Sequence, residues 1–454
     1  MLEALVPELF SQVLLFLLLP DLCSLRLTSR HLKQVTARDF ATAAFSTIRI
    51  DFSTANLQWA QNIASYDDFR SAVRTLRVGK WAGKVTGARS SQDISYGHGG
   101  QWPRLDSRRV DCASDYVQKF VHCVSRFPNC TGVVVTDERT ALPHYPDYRG
   151  RDRHLSSADA VDLVLHALSA REAPALRKIR TRISHGIDWY PPGLISKTAV
   201  AEVRSNVLEH LEDLTLELRV EDEESTASLL QLLTRSPGLT TLRLMLDCGE
   251  PVTDGLTASP LSHCLDSLPH FSPRLDILFL GNLKLSETGL LRLLSNSADT
   301  LGRLDLSEVC LTSGSWNAVL AHLQAVPFRH LQRLSMFRCS EGPSDETVAF
   351  CQLWKRQGVC EARRGSFEFR FSCTVIEPPK AYHVTGALFE SSGDAAEMRM
   401  ALQAIAENSH LCSSNYNPAP RCAELHDMKK TMERPYTGGI TLFERWTGLS
   451  LRDE

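Results

Sequence analysis

The side chains best suited to chemistry in this sequence are cysteines and histidines near its C-terminus. Cys412, Cys422 and His426 offer thiolate and imidazole groups, which are the usual protein ligands of zinc. Zinc sites normally contain two cysteines with about two to four residues between them, whereas nine residues separate Cys412 from Cys422. We therefore predict that this set binds no metal.

A second set of cysteines and histidines is spaced equally loosely, and it consists of His98, Cys112, His122 and Cys123. A nucleophilic cysteine needs a neighbouring base and surroundings that lower its pKa, and this spacing locates neither. The sequence also has no glycine-rich phosphate loop and no G-x-S-x-G motif of the kind found in serine hydrolases. We expect a protein without catalytic residues, cofactor or metal.

The composition limits the partners and the compartment. A formal net charge of −3 over 454 residues gives no reason to expect binding to nucleic acid or to an anionic membrane. No secretory signal is visible, and the apolar run from Val13 to Leu19 is far shorter than the ~20 residues of a membrane helix. The 13 cysteines are an odd number without close pairing, so we expect free thiols in the cytoplasm, the nucleus or both.

The first 50 residues are too apolar to form a free surface. Apolar side chains recur at helical spacing from Leu9 onwards, and Leu15, Phe16 and Leu19 fill the other sides of the same segment. Residues 13–19 are therefore predicted to form a helix that is apolar, and must be buried, on every side. A segment of roughly 40 residues rarely buries such a surface alone, so we expect it to contact both the rest of the chain and another protein.

The spacing of these residues resembles the F-box, a small helical module. The matching positions are Leu5, Glu8-Leu9-Phe10, Val13-Leu14, Leu17, Pro20-Asp21-Leu22, Leu25-Arg26 and Ser29-Arg30. The stretch LPDLCSLRLTSRHLK is especially close to the form seen in fungal F-box proteins. The resemblance assigns residues 1–47 to an α-helical F-box. It implies that a Skp-family adaptor binds an apolar set made of Leu5, Pro7, Leu9, Val13, Leu14, Leu17, Leu22 and Leu25.

A six-residue pattern, Leu-x-x-Leu-x-Leu, recurs through the second half of the chain. Its clear copies start 28, 36, 26 and 30 residues apart, and they are LEDLTL from Leu211, LTTLRL from Leu239, LDILFL from Leu275, LGRLDL from Leu301 and LQRLSM from Leu331. Fainter copies are VRTLRV from Val73, CTGVVV from Cys130 and LRKIRT from Leu176. The pattern is the sequence signature of leucine-rich repeats, and its irregular period resembles the degenerate repeats that often follow an F-box.

Helical patterns lie between these motifs, over 114–127, 156–170, 225–234, 286–294, 316–326 and 345–354. A strand followed by a helix is one unit that buries its apolar face only by stacking on its neighbours. We predict an α/β chain in which residues 48–375 form a curved leucine-rich-repeat solenoid, with parallel strands on the concave face and helices outside. Irregular insertions are expected near 79–112 and 137–155, and residues 376–454 are expected to form a C-terminal cap or a partly ordered tail, with a strand over 367–372 and a helix over 395–408.

The strand residues between the leucines are predicted to point away from the core, because side chains alternate between the two faces of a strand. On the later strands we expect an exposed aromatic and basic patch whose arginines hold an acidic or phosphorylated peptide of a target. The candidate target-binding residues are Arg243, Phe279, Arg303, Asp305, Arg333 and Phe337. Ordinary solvated strand positions are an equally simple interpretation of the same residues.

An F-box-like module followed by leucine-rich repeats resembles the substrate-recognition subunit of an SCF-type cullin–RING ubiquitin ligase, which marks proteins for degradation. The resemblance implies that the adaptor links the chain to cullin and RING subunits while the repeats hold an unknown target protein. Such a subunit acts by proximity and carries no catalytic residue. Two alternatives remain: a leucine-rich-repeat scaffold unrelated to ubiquitin, with residues 1–47 as a cap, and an enzyme whose site uses the two irregular insertions.

Overall fold

The structure of the chain is a computed structural model. It describes residues 7–14, 16–50, 54–79, 115–136, 163–168, 176–182, 205–219, 223–247, 271, 273–342, 346–349, 368–376, 381–390, 395–408 and 410–412. These residues divide into two compact units, one that reaches Leu211 and one that starts at Glu212. Each unit combines helices with a largely parallel sheet, which confirms the predicted α/β class.

The first unit begins with four closely spaced helices, α1 Pro7–Leu14, α2 Leu19–Thr28, α3 Arg30–Val35 and α4 Ala37–Phe45. Ser29 separates α2 from α3, because its hydroxyl accepts a hydrogen bond of 3.1 Å from the Leu32 amide and so starts the third helix. Later helices of this unit are α5 Thr54–Ala64, α6 Asp67–Ala72, α7 Asp115–Val124 and α8 Ser205–Leu208, and residues 163–168 are also helical. The helix predicted over 114–127 is confirmed at Asp115–Val124 but not at residues 125–127, which form a turn, and the helix predicted over 156–170 is confirmed at residues 163–168.

Four parallel strands form the sheet of the first unit, namely β1 Thr47–Ile50, β2 Thr75–Gly79, β3 Gly132–Thr136 and β4 Lys178–Arg182. Their register aligns the faint sequence copies, since Leu76 lies beside Val133 and Val133 beside Ile179. Ile48 of β1 lies beside Leu76, so FSTIRI, from Phe45, is an additional copy of the pattern that the sequence alone did not reveal. All four of these aligned side chains are buried.

Five parallel strands form the centre of the larger sheet in the second unit, in the order β5 Asp213–Arg219, β6 Thr241–Asp247, β7 Ile277–Gly281, β9 Arg303–Ser307 and β11 Arg333–Phe337. The antiparallel strands β15 Ala381–Glu390 and β14 Glu368–Ile376 extend it beyond β11. The three pattern positions of all five clear copies are buried, and none exposes more than 2% of its surface. The predicted leucine core and its register are therefore confirmed in this unit.

A smaller sheet in the second unit has the order β16 His410–Cys412, β13 Glu346–Ala349, β12 Ser340–Glu341, β10 Cys310–Ser313 and β8 Lys284–Ser286. The chain reaches it from β7, β9 and β11 through three residues with positive φ, namely Asn282 at 51°, Glu308 at 56° and Arg338 at 48°. These residues occupy the same position in three successive motifs. The shared left-handed turn moves the chain from one sheet to the other in each motif.

The helices of the second unit are α9 Glu223–Thr234, α10 Glu287–Asn296, α11 Trp316–Ala325 and α12 Ala395–Asn408, which confirms four predicted helices. Ser286 caps α10 as predicted, because its hydroxyl accepts a hydrogen bond of 3.0 Å from the Gly289 amide. Two carboxylates from neighbouring motifs bind the start of α11. Glu287 accepts from the Ser315 amide at 2.7 Å, and Glu341 accepts from the Trp316 amide at 2.6 Å.

The helix predicted over 345–354 is wrong at residues 346–349, which form β13. This strand pairs antiparallel with β12 and with β16, and Val348 is buried between them. Pairing with two neighbours outweighs the helical spacing of the apolar residues, because β-branched residues such as Thr347 and Val348 fit a sheet well. The strand predicted over 367–372 is confirmed and extends to Ile376. Residues 80–112 and 137–155 of the predicted insertions, and the tail beyond Cys412, lie outside the described residues.

Candidate functional site

The four N-terminal helices bury a small core of their own. Phe10 and Leu14 from α1 pack with Leu22 from α2 and Leu32 from α3, and Leu17 and Leu25 lie half-buried against them. Leu14 and Leu22 are thus buried within the N-terminal helices, although the F-box resemblance assigns both to the adaptor contact. A substitution at either residue changes the stability of the helices as well as any surface that they form.

A second group of apolar side chains in the same helices faces solvent. Phe16, Leu18 and Leu27 expose 85%, 71% and 88% of their surface. The full group, which we call the exposed apolar set, is Leu9, Val13, Phe16, Leu18, Leu19, Leu27 and Val35. Covering one such leucine or phenylalanine side chain contributes about 1.5–3 kcal/mol, so the set offers a large binding free energy to a partner with a matching apolar surface.

The exposure of this set corrects the prediction of a helix over residues 13–19. Helix α1 ends at Leu14, the chain turns through hydrogen bonds from the Phe16 amide to Val13 and from the Leu17 amide to Leu14, and α2 begins at Leu19. Pro20 has no amide hydrogen and suits the first turn of a new helix. The Asp21 carboxylate accepts a hydrogen bond of 3.2 Å from the Leu18 amide and caps that helix.

The predicted adaptor residues therefore fall into three groups. Leu9 and Val13 are exposed, Leu14 and Leu22 are buried, and Leu17 and Leu25 are half-buried. Leu5 and the side chain of Pro7 lie outside the described residues. The sequence interpretation missed Phe16, Leu18 and Leu27 as candidate contact residues. The signal that identifies the first two is Pro20, which marks the first turn of a new helix.

An aromatic cluster joins the N-terminal helices to the rest of the first unit. The rings of Phe40 and Phe45 from α4 lie 6.4 Å and 4.8 Å from the ring of Phe69 in α6, and Tyr66 lies 5.5 Å from the same ring. The Arg26 guanidinium lies 4.2 Å from the centre of the Phe40 ring, which ties α2 to this cluster. The helices that carry the exposed apolar set are thus packed on the first strand–helix motifs.

The predicted target-binding patch in the second unit is much less exposed than expected. Asp305 is only 2% exposed and lies between two arginines, since Arg303 contacts one of its oxygens and the Nε of Arg333 donates to the other at 3.3 Å. These arginine side chains are themselves only 18% and 14% exposed. The charges of Arg303 and Arg333 thus compensate the buried Asp305 carboxylate. The prediction that both arginines face solvent is wrong.

Phe279 is buried, contrary to its predicted exposure, because it lies over a glycine. A Cβ atom on Gly281 would approach the Phe279 ring to 3.0 Å, so the absence of a side chain there lets the ring fold down onto the strand. Phe337 is half-buried, with the Arg338 guanidinium 5.1 Å from its ring centre, and Arg243 is half-buried beside Phe279. The six candidates are close in register, yet they form no exposed aromatic and basic patch.

Five cysteines are free thiols, as predicted, namely Cys23, Cys123, Cys130, Cys310 and Cys339. Burial raises the pKa of the thiols of Cys123, Cys130 and Cys339 to about 12, so these groups stay protonated and unreactive at neutral pH. Within the described residues no group of three or more His, Cys, Asp or Glu side chains converges. Cys412 lies in β16, whereas His98, Cys112, Cys422 and His426 lie outside the described residues.

The part of the chain that the structure describes contains no helix long and apolar enough to cross a membrane. Comparison with known proteins finds no matching family model, and no curated protein matches the sequence.

Proposed function

We propose that this chain is the substrate-recognition subunit of an SCF-type cullin–RING ubiquitin ligase. The observation that supports the proposal most directly is the exposed apolar set on helices that already have a buried core of their own. A module that needed to bury its apolar residues only internally would not leave Phe16, Leu18 and Leu27 in water. The proposed occupant is a Skp-family adaptor, which links the chain to cullin and RING subunits.

The remainder of the chain supports the second half of the proposal. Strand–helix motifs stacked in register, with a leucine core, are the arrangement expected of leucine-rich repeats. Repeats of this kind present wide surfaces for a protein target. The chain then acts by proximity, because it holds the target near the ubiquitin-conjugating enzyme and contributes no catalytic residue itself. The proposed compartment is the cytoplasm, the nucleus or both.

The test is a pull-down of the purified full chain with a Skp-family adaptor. The variant is Leu9→Asp with Val13→Asp, since both side chains are exposed and belong to the predicted adaptor contact. Leu14→Asp is unsuitable, because Leu14 is buried and its loss would unfold the helices. The control is Met400→Asp, which places one such charge on an exposed apolar position of α12.

We expect wild type and Met400→Asp to retain the adaptor and the double variant to lose it. A well-folded wild type that captures no adaptor contradicts the proposal, and so does a double variant that captures it normally.

A second candidate function is a leucine-rich-repeat scaffold in which the N-terminal helices are a cap. The aromatic contacts between α4 and α6 favour it, because a cap must pack on the first repeat in this way. A cap requires no adaptor, so the same pull-down separates the two candidates.

A further inference from the structure

The sheet of the first unit carries a row of arginines on adjacent strands. Arg49 of β1 lies beside Arg77 of β2, and Arg180 of β4 follows in the same row with Val134 of β3 between them. The residues on either side of this row, such as Ile48 and Ile50, are buried. Because side chains alternate along a strand, the arginine row lies on the face of the sheet opposite to the apolar core.

The charge of these strands distinguishes them from the strands of the second unit. Strands β1 to β4 contain five basic residues and no acidic residue, the basic ones being Arg49, Arg77, Lys178, Arg180 and Arg182. The five parallel strands of the second unit contain four basic and four acidic residues, which are Arg219, Arg243, Arg303, Arg333, Asp213, Glu217, Asp247 and Asp305. The strands of the first unit therefore carry five positive charges, whereas the five parallel strands of the second unit have no net charge, in a chain whose net charge is −3.

The geometry concentrates this charge. Neighbouring strands are about 4.8 Å apart, so Arg49 and Arg77 are within reach of a single anionic group. Arg49 is exposed, whereas Arg77 and Arg180 are half-buried. Partial burial weakens the screening of the charges of Arg77 and Arg180 by water. These arginines also have contacts within the chain, and the five donors of a guanidinium allow one side chain to serve two partners.

We propose that the basic row, defined as Arg49, Arg77, Lys178 and Arg180, binds an anionic segment of the target protein through its carboxylate or phosphate groups. This inference rests on the proposed function and places target recognition on the first unit. In the second unit Asp305 already occupies the space between two arginines. A peptide fits the row better than a nucleic acid, because β1 to β4 contain no aromatic residue on which bases can stack.

The length of the row also suits a peptide. Four strands span about 15 Å, which an extended peptide covers with roughly four or five residues. Two or three anionic side chains in such a segment can each meet a guanidinium, and phosphate groups suit arginine especially well because both make paired hydrogen bonds.

The experiment measures binding of the full chain to two fluorescein-labelled peptides by fluorescence anisotropy. In one peptide glutamate alternates with glycine, and in the other phosphoserine replaces glutamate. The variant is Arg49→Gln with Arg180→Gln. The matched control is Arg274→Gln with Arg329→Gln, which removes the same charge at two exposed positions of the second unit. A rescue variant, Arg49→Lys with Arg180→Lys, restores the charge without the planar guanidinium.

We expect the Gln variant of the row to bind at least one of the peptides roughly tenfold more weakly or worse than wild type, while the control pair binds normally and the Lys variant binds with intermediate affinity. Binding of both peptides supports an acidic target, and binding of the phosphorylated peptide alone supports a phosphorylated target.

Three results overturn the inference: wild type binds neither peptide, the control pair weakens binding as much as the row variant, or an oligouridine of equal length binds more tightly than both peptides. The adaptor pull-down on wild type separates this failure from that of the proposed function. If wild type captures the adaptor but binds neither peptide, the basic row alone is refuted, whereas wild-type peptide binding without adaptor capture refutes the ligase assignment alone.

Discussion

Replacing Asp305 with asparagine should destabilise the second unit. The carboxylate is buried between Arg303 and Arg333, and the change removes its charge while the volume stays nearly the same. One terminal nitrogen of Arg303 is already buried without a hydrogen-bond partner. After Asp305→Asn, two guanidinium groups would share a poorly solvated space with no carboxylate between them.

The magnitude follows from the burial of the three side chains. Removing one member of a fully buried ion pair costs about 3–5 kcal/mol. The arginine side chains keep 18% and 14% of their exposure, so water stabilises part of their charge and the cost should lie near the lower value. An expected loss of about 3 kcal/mol corresponds to a fall of about a hundredfold in the protection of backbone amides against exchange.

Hydrogen exchange with mass spectrometry is the appropriate assay, because a chain of two units need not unfold in a single step. The amides of β9 and β11 should lose protection first. Asp299→Asn is the matched control, since Asp299 is an exposed acid of the same unit. If Asp305→Asn and Asp299→Asn exchange alike, the buried carboxylate does not hold the two arginines and the reasoning is refuted.

Other changes give equally specific expectations. Leu304→Ala opens a cavity in the core and should cost about 2–5 kcal/mol, with the loss of amide protection centred on β9, whereas the exposed Leu27→Ala should change it little. Glu341→Gln weakens the charged cap of α11 and should lower stability by about 1 kcal/mol, which urea unfolding would register. Burial raises the pKa of the Cys339 thiol from 9.0 to about 12. The contribution of this buried thiol to the free energy of unfolding should therefore be complete below pH 9 and decline as the pH rises towards 12. At pH 8 iodoacetamide should modify the exposed Cys23 while Cys339 stays intact in the folded chain, which peptide mapping would show.

The leucine spacing predicted much of the fold because it reports directly which side chains are buried. In the second unit Leu242, Leu278 and Leu304 lie side by side, as their equivalent positions in the pattern require. The pattern is in fact longer than six residues. It continues to Leu285 after β7 and to Leu311 after β9, and these residues pair in the smaller sheet. An eleven-residue comparison of the motifs would have predicted that second sheet from the sequence.

The exposure of individual side chains was harder to predict, because it depends on neighbours that are distant in sequence. Alternation along a strand places Phe279 and Asp305 on the face opposite to the leucines, yet both are buried there. The first is covered because Gly281 leaves room for its ring, and the second because arginines from two strands surround it. Neither arrangement follows from the period of the pattern.

In the N-terminal helices, too, the period of the apolar residues does not predict which side chains are exposed. Residues 13–19 are apolar throughout, so their periodicity does not reveal where one helix stops and the next begins. Pro20 and the Asp21 cap decide the boundary, and they leave Phe16 and Leu18 exposed in the turn. Local capping chemistry overrules hydrophobic periodicity at this point.

The most direct test of the proposed role is hydrogen exchange of the full chain with and without a Skp-family adaptor. The account predicts that amides of α1, α2 and the turn between them gain protection in the complex, while those of β5, β6 and β7 are unchanged. A complex that protects only strands of the second unit, or a mixture in which no amide of the N-terminal helices changes, would contradict the account.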